Sequence, residues 1–183
     1  QPQRSLASLS VIAIRAGEIV YEQQFGERFI PTTAAAGLPA NADTLFRIAS
    51  VSKMVTALGV MRLVEQGKLA LDTDISRYLG YTLRNPYYPD AAITLRMLLS
   101  HTSSLRDDGG YNFPANTSLQ SVLQASDKYA VSAVVWARPD ASNKNYAPGK
   151  YFSYVNLNWG VIGAVMESVS GKRFDVLMQE LIL

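Results

Sequence analysis

Ser50-Val51-Ser52-Lys53-Met54-Val55-Thr56-Ala57-Leu58-Gly59-Val60-Met61-Arg62-Leu63-Val64-Glu65-Gln66 decides the reading of this chain. Its apolar residues, Met54, Val55, Ala57, Leu58, Val60, Met61, Leu63 and Val64, cover most of a helical circumference. A helix apolar nearly all round is expected to be buried. Gly67 follows as a C-terminal stop. The first turn does not match the rest. A helix N-terminus is electropositive and favours carboxylates, and a capping box would place Glu or Gln where Lys53 stands. Such local inconsistencies concentrate at functional sites.

Ser50 and Lys53 lie three apart and share a helix face. Two readings compete. Ser at this place is commonly just an N-cap, and an S-x-x-K spacing arises by chance roughly once in a chain of this length. The other reading is chemical. A serine hydroxyl is a weak nucleophile until a neighbouring base takes its proton. A lysine is such a base where burial and a positive helix end disfavour its ammonium form. The same helix end offers backbone N–H groups to an oxyanion near Ser50.

Outward from this helix the chain divides into a strand region and a helical region. Ser10–Arg15 and Glu18–Phe25 read as two strands joined by a hairpin at Ala16-Gly17. Residues 27–43 read as loop, and Leu45–Ile48 as a short apolar lead-in. Residues 72–92 carry turn residues. Thr94 is placed to cap a short helix through Leu99, and Thr117 or Ser118 to cap another. Phe152-Ser153-Tyr154 is expected to be extended, followed by a helix through Glu167 that stops near Gly171. A last amphipathic helix is expected over Phe174–Leu183. A lone hairpin is marginal in water, so further strands are expected on another piece of polypeptide; a compact helical domain with a packed hairpin is the alternative. The apolar, uncapped end at Leu181-Ile182-Leu183 points the same way.

Composition excludes several classes. The 183 residues are 48% hydrophobic and 17% charged, which rules out intrinsic disorder. The net charge is +2 with no block of like charges, so nothing supports nucleic-acid binding. With no Cys and one His, thiolate zinc sites, cysteine nucleophiles and multi-His metal centres are excluded within this chain. No apolar run is long enough to span a membrane. No metal and no cofactor is expected.

Two further stretches carry candidate chemistry. On an extended segment Tyr154 and Asn156 point the same way. A phenol relays protons, and an amide offers both a donor and an acceptor. Taken alone they read first as a packed tyrosine and a helix-capping asparagine. His101, after the 94–99 helix, reads as structural, satisfying orphan carbonyls at that helix end. Asp107 and Asp108 stand too close to it in sequence to identify a carboxylate that would orient a triad.

In this order and context the pieces resemble the serine β-lactamase-like, penicillin-recognising superfamily. The branch is that of class C β-lactamases, D-alanyl-D-alanine carboxypeptidases and related esterases. The likeness runs through Phe46–Lys53, Gln66–Asp72, Ile75–Leu79, the run Ile93–Leu105 with its H-T-S-S-L turn, and Phe152–Asn156 followed by Gly160–Gly171. It covers nearly the whole chain from about residue 9.

The resemblance implies an α/β chain of α+β type. It implies an antiparallel sheet flanked by helices and a mainly helical subdomain. Residues 9–48 would be hairpin and lead-in, 49–71 the nucleophile helix, and 72–183 an incomplete helical subdomain. Ser50 would be the acylated nucleophile and Lys53 its general base or proton partner. Tyr154 would shuttle a proton, Asn156 would bind the substrate's amide, and His101 would be structural. A small-molecule, peptide or ester substrate and a periplasmic or secreted location are implied as well.

Two departures stand out. Ser104 replaces a usual Gly, and the downstream K-T-G or H-x-G motif is absent. The 183 residues are therefore expected to be the N-terminal part of one domain, completed by a second chain or a missing segment and inefficient without it. The competing expectations are a sensor that acylates without turnover and a noncatalytic structural domain.

Overall fold

The computed structural model describes residues 6–124, 135–142 and 144–183. The chain forms two compact units, Gln1–Ala49 and Ser50–Leu183.

The first unit is an antiparallel sheet of β1 (Ser8–Arg15), β2 (Glu18–Phe29) and β3 (Leu38–Pro39), in that order. The expected hairpin is present. Ala16 and Gly17 both take positive φ, 52° and 85°, as a two-residue turn matched to strand twist requires. Register runs from Ser8 opposite Gly26 to Arg15 opposite Glu18, with a bulge between Ala13 and Ile14. Gly26 is obligatory: its φ is 73°, and a Cβ there would sit 2.3 Å from the Ala7 carbonyl oxygen. Residues 27–43 correct the loop expectation in part. β2 continues to Phe29, and Leu38–Pro39 pairs with Glu27–Phe29. Proline is tolerated there because it lies on an edge strand.

The second unit is helical: α1 (Val51–Glu65), α2 (Ser76–Leu79), α3 (Leu95–Leu99), α4 (Leu119–Leu123), α5 (Leu157–Ser170) and α6 (Phe174–Leu181). α5 is its centre. Leu157, Asn158, Val161, Ile162, Val165 and Met166 are buried, an i, i+4 stripe in doubled rows. α5 packs against α1, α2, α3 and α6. Val60, Leu63, Ile75, Leu83, Ile93, Leu95 and Leu98 complete the same core. Each such aliphatic side chain contributes roughly 1.5–3 kcal/mol of burial.

The caps follow the sequence at α3 and α4. Thr94 Oγ1 accepts from Met97 N–H, and Ser118, rather than Thr117, accepts from Ser121 N–H. Gly171, in the left-handed region, ends α5.

α1 corrects the expectation of all-round burial. Gly59, Val60 and Leu63 are buried, but Met54 is 62% and Leu58 51% exposed. Apolarity on every side tells which faces avoid water. It does not supply a neighbour for each face among the described residues. Phe152–Tyr154 takes no regular secondary structure and joins no sheet; its Ser153 N–H donates to the His101 carbonyl in the turn after α3. No described helix is long and apolar enough to cross a membrane.

Candidate active site

α1 begins at Val51, so Ser50 stands at the helix entrance with Lys53 one turn on. Ser50 is not an N-cap in the usual sense, because its side chain makes no cap hydrogen bond. Its hydroxyl is turned to other partners. Ser50 Oγ lies 2.7 Å from the Tyr154 phenol oxygen, and Lys53 Nζ donates to it at 2.9 Å. Lys53 Nζ also donates to Asn156 Oδ1 at 2.9 Å and sits 4.9 Å from the centre of the Tyr154 ring. The four candidate residues, two pairs more than 100 positions apart in sequence, therefore form one connected group. The Ala49 φ of 44° immediately before Ser50 is unusual for a residue with a Cβ, and such backbone conformations cluster at functional sites.

Asn156 does not cap α5 with its side chain either. Its Oδ1 faces Lys53 and its Nδ2 donates to Asp107 Oδ2 at 2.9 Å. One Nδ2 hydrogen and one Oδ1 lone pair remain available to a substrate amide.

The turn after α3 holds the segment carrying Tyr154 and Asn156. The His101 carbonyl accepts from Ser153 N–H at 2.9 Å, and His101 Nδ1 accepts from Val155 N–H at 3.0 Å. Asp107 Oδ2 accepts from Asn156 N–H at 2.7 Å, and Oδ1 from Leu157 N–H at 3.0 Å. His101 is thus structural, as expected, but not by the expected bond. Its backbone N–H serves the Leu98 carbonyl, whereas its ring accepts a hydrogen from another segment. An accepting Nδ1 leaves the neutral ring's proton on Nε2. The ring stacks on Tyr154 with centroids 4.5 Å apart.

Two residues were hidden from sequence reasoning. Asp107 looks like any loop aspartate until its partners, 49 and 50 positions on, are known. Asn158, fully buried, accepts from Ser103 Oγ at 2.6 Å and donates to the Leu98 carbonyl at 3.2 Å, which fixes α5 to the turn. An asparagine on the buried stripe of an apolar helix was the available signal. The turn is itself tied down by Arg106 N–H to Val135 O and Ala137 N–H to Ser104 O. Ser104 takes φ 67°, a conformation that favours the glycine it replaces. Its hydroxyl offsets that strain by accepting from buried Asn85 Nδ2 at 2.9 Å.

The electrostatics are directional. The Tyr154 phenol is held below its ordinary value, first by hydrogen bonding from Lys53 and then by the Ser50 hydroxyl, against some desolvation. Burial, followed by the Lys53 charge, holds the His101 imidazole below its usual value and outweighs the opposite pull of Asp107. Among the described residues no group of three or more His, Asp or Glu side chains is placed to hold a metal ion.

With the sheet, the helical unit and the grouped Ser50, Lys53 and Tyr154 side chains described, the likeness to known proteins is as follows. The chain belongs to the Beta-lactamase family, which matches residues 1–183. It is similar to the esterase EstB of Burkholderia gladioli, 32% identical over 98% of this chain and 45% of that protein. It is also similar to penicillin-binding protein 4* of Bacillus subtilis, 30% identical over 90% of this chain and 33% of that protein. Among solved structures it resembles the octameric penicillin-binding protein homologue of Pyrococcus abyssi. The TM-score there is 0.72 and the identity 27%, over 97% of this chain and 38% of that one. The chain therefore spans less than half the length of each of these relatives. Its fold is that of the β-lactamases and penicillin-binding proteins.

Proposed function

We propose that this chain carries the acyl-transfer residues of a serine hydrolase that acts, outside the cytoplasm, on a β-lactam, a D-alanyl peptide or an ester. One observation carries the reading: the Ser50 hydroxyl lies between a phenol at 2.7 Å and an amine at 2.9 Å, the two groups able to move its proton. The relatives named as an esterase and a penicillin-binding protein support the same reaction class. We read residues 1–183 as the N-terminal part of one such domain, which agrees with their partial coverage of those relatives.

In this reading Ser50 Oγ attacks the substrate carbonyl carbon while its proton passes to the Tyr154 oxygen. Lys53, donating to Ser50 Oγ, is the proton partner that draws the phenol toward its ionised form. Backbone N–H groups at the start of α1 face the developing oxyanion. As the carbonyl–leaving-group bond breaks, Tyr154 returns the proton to the leaving group, giving an ester on Ser50. Water then attacks that ester, yielding its proton to Tyr154, which passes it to Ser50 Oγ as the acyl carbon–Oγ bond breaks, so that the acid product departs and the free hydroxyl is restored. Asn156 binds an amide of the substrate with its remaining donor and acceptor.

The test uses the whole protein that contains this chain. It is exposed to a fluorescent penicillin and to a fluorophosphonate, and adducts are located by mass spectrometry. An adduct on Ser50 that vanishes in Ser50→Ala is expected. Turnover of a β-lactam or aryl ester identifies a hydrolase, and a lasting penicillin adduct identifies a sensor. Failure of both reagents to label Ser50 would overturn the reading.

A further inference from the structure

We infer that Asp107 is a positioning residue for the acyl-transfer group, one that decides which end of the Asn156 amide faces Lys53; the inference rests on the serine hydrolase reading. An ionised carboxylate only accepts hydrogen bonds, and an ammonium only donates. Asn156 lies between one of each. Its Nδ2 donates to Asp107 Oδ2 at 2.9 Å, and its Oδ1 accepts from Lys53 Nζ at 2.9 Å. The flipped amide would set –NH2 against the amine and the carbonyl oxygen against the carboxylate, losing both bonds and adding two repulsions. The donor–acceptor order Asp107, Asn156, Lys53, Ser50 therefore has one orientation. Two of the three Lys53 hydrogens are assigned by it, one to Asn156 and one to Ser50 Oγ.

The same carboxylate fixes the backbone beneath the amide. It accepts from the Asn156 and Leu157 N–H groups, orphan donors of the first turn of α5 that the Asn156 side chain does not serve. A negative charge there also suits the helix end. His101 holds the same segment through Ser153 and Val155 N–H and its ring stacks on Tyr154, but of the two only Asp107 hydrogen-bonds a side chain of the reacting group. Asp107 touches neither Ser50 nor a substrate. Its effect is transmitted through Asn156 to the placement of Lys53, and small misplacements of reacting groups carry large rate penalties.

The experiment compares Asp107→Asn and Asp107→Ala with Ser118→Ala in the whole protein. Ser118→Ala removes a helix cap remote in sequence from the site. Whichever reagent acylates Ser50 is used to measure kcat, KM and the melting temperature. Asp107→Asn keeps an acceptor for the helix N–H groups but turns an –NH2 toward Asn156. It is expected to fall roughly 10- to 100-fold in kcat, with KM held within about threefold. Ser118→Ala is expected to lose thermal stability and keep its kcat. Should Asp107→Ala melt too low to assay, Asp107→Asn carries the test. Asp107 variants that lose stability at full kcat, or that raise KM at unchanged kcat, would reduce Asp107 to a helix cap and overturn the inference. Absence of any Ser50 label on the unmodified protein strikes the serine hydrolase reading itself, and this inference falls with it.

Discussion

His101 shows how a residue outside the reaction sets its pH range. Its Nδ1 accepts from Val155 N–H, so a proton added to the neutral ring must go on that nitrogen and break the bond. Burial and the Lys53 charge hold the folded imidazole below its unfolded value of about 6.5. Between the two values the unfolded chain binds the extra proton, so stability is present above about pH 6.5 and is lost as pH falls through the folded value. The Tyr154–Asn156 segment loosens with it. In His101→Asn the amide oxygen offers an acceptor near the Nδ1 position, and Asn tolerates the φ of 57° found here. The variant is expected to lie within about 1 kcal/mol of the parent at pH 8, losing the stacking on Tyr154, and to show a flatter decline on acidification. Melting curves and acylation rates from pH 4.5 to about 8 check this, spanning the unfolded value of about 6.5. At this scale the sequence makes Ser50 and Lys53 legible as candidates, because a lysine in the first turn of an apolar helix has no local justification, whereas Tyr154 and Asn156 gain their roles only from the family resemblance. Asp107 is illegible because its meaning lies in partners about fifty residues away.

At the scale of elements, α1 is held by a close crossing. A Cβ added at Gly59 would lie 2.6 Å from Met178 Sδ and 3.0 Å from Met166 Cε, on α6 and α5. Gly59→Ala gains roughly 1 kcal/mol in helix propensity, yet overpacking a close crossing costs about 1–3 kcal/mol. Because the atoms met are the far ends of flexible methionines, the two effects are expected to offset each other to within about 1 kcal/mol. Denaturant unfolding of the variant beside its parent measures it. The period of the apolar residues predicts α1 and α5 well, since both repeat over many turns. It misses β3, two residues long with a proline, because its pairing depends on β2 rather than on its own pattern. The ordinary cap readings of Ser50 and Asn156 fail for a related reason. Propensity reports what a side chain does when nothing distant competes for it, and here Tyr154, Lys53 and Asp107 do.

For the molecule as a whole, water-facing apolar surface is the prominent physical property. Met54, Leu58 and Met61 lie along one exposed face of α1, and Ile12, Ile14, Ile19 and Val20 are exposed on the hairpin. Residues 1–183 expressed alone are expected to bind the dye ANS and to self-associate, because open strands and apolar stripes both recruit other chains. Leu58→Lys with Ile14→Glu should reduce both, as read by dye fluorescence and sedimentation. An isolated chain that stays monomeric without dye binding would contradict this expectation. The α+β class rested on the family resemblance, whereas the strand-then-helix order was legible in the periodic segments. Which apolar faces lack a neighbour was not, because hydropathy has no term for what lies opposite.

The stretch 101–107 bears on how such a chain tolerates change. It contributes no group to the proposed acyl transfer, yet His101 and Asp107, six positions apart, grip four of the five backbone amides of 153–157, all but that of Tyr154. Adding or deleting a single residue between them would shift one anchor by about 3.5 Å while the other stayed in place. A change of length is therefore expected to be borne at the exposed Gly109-Gly110 pair but not between the two anchors, and a short turn becomes the stretch with least freedom to drift.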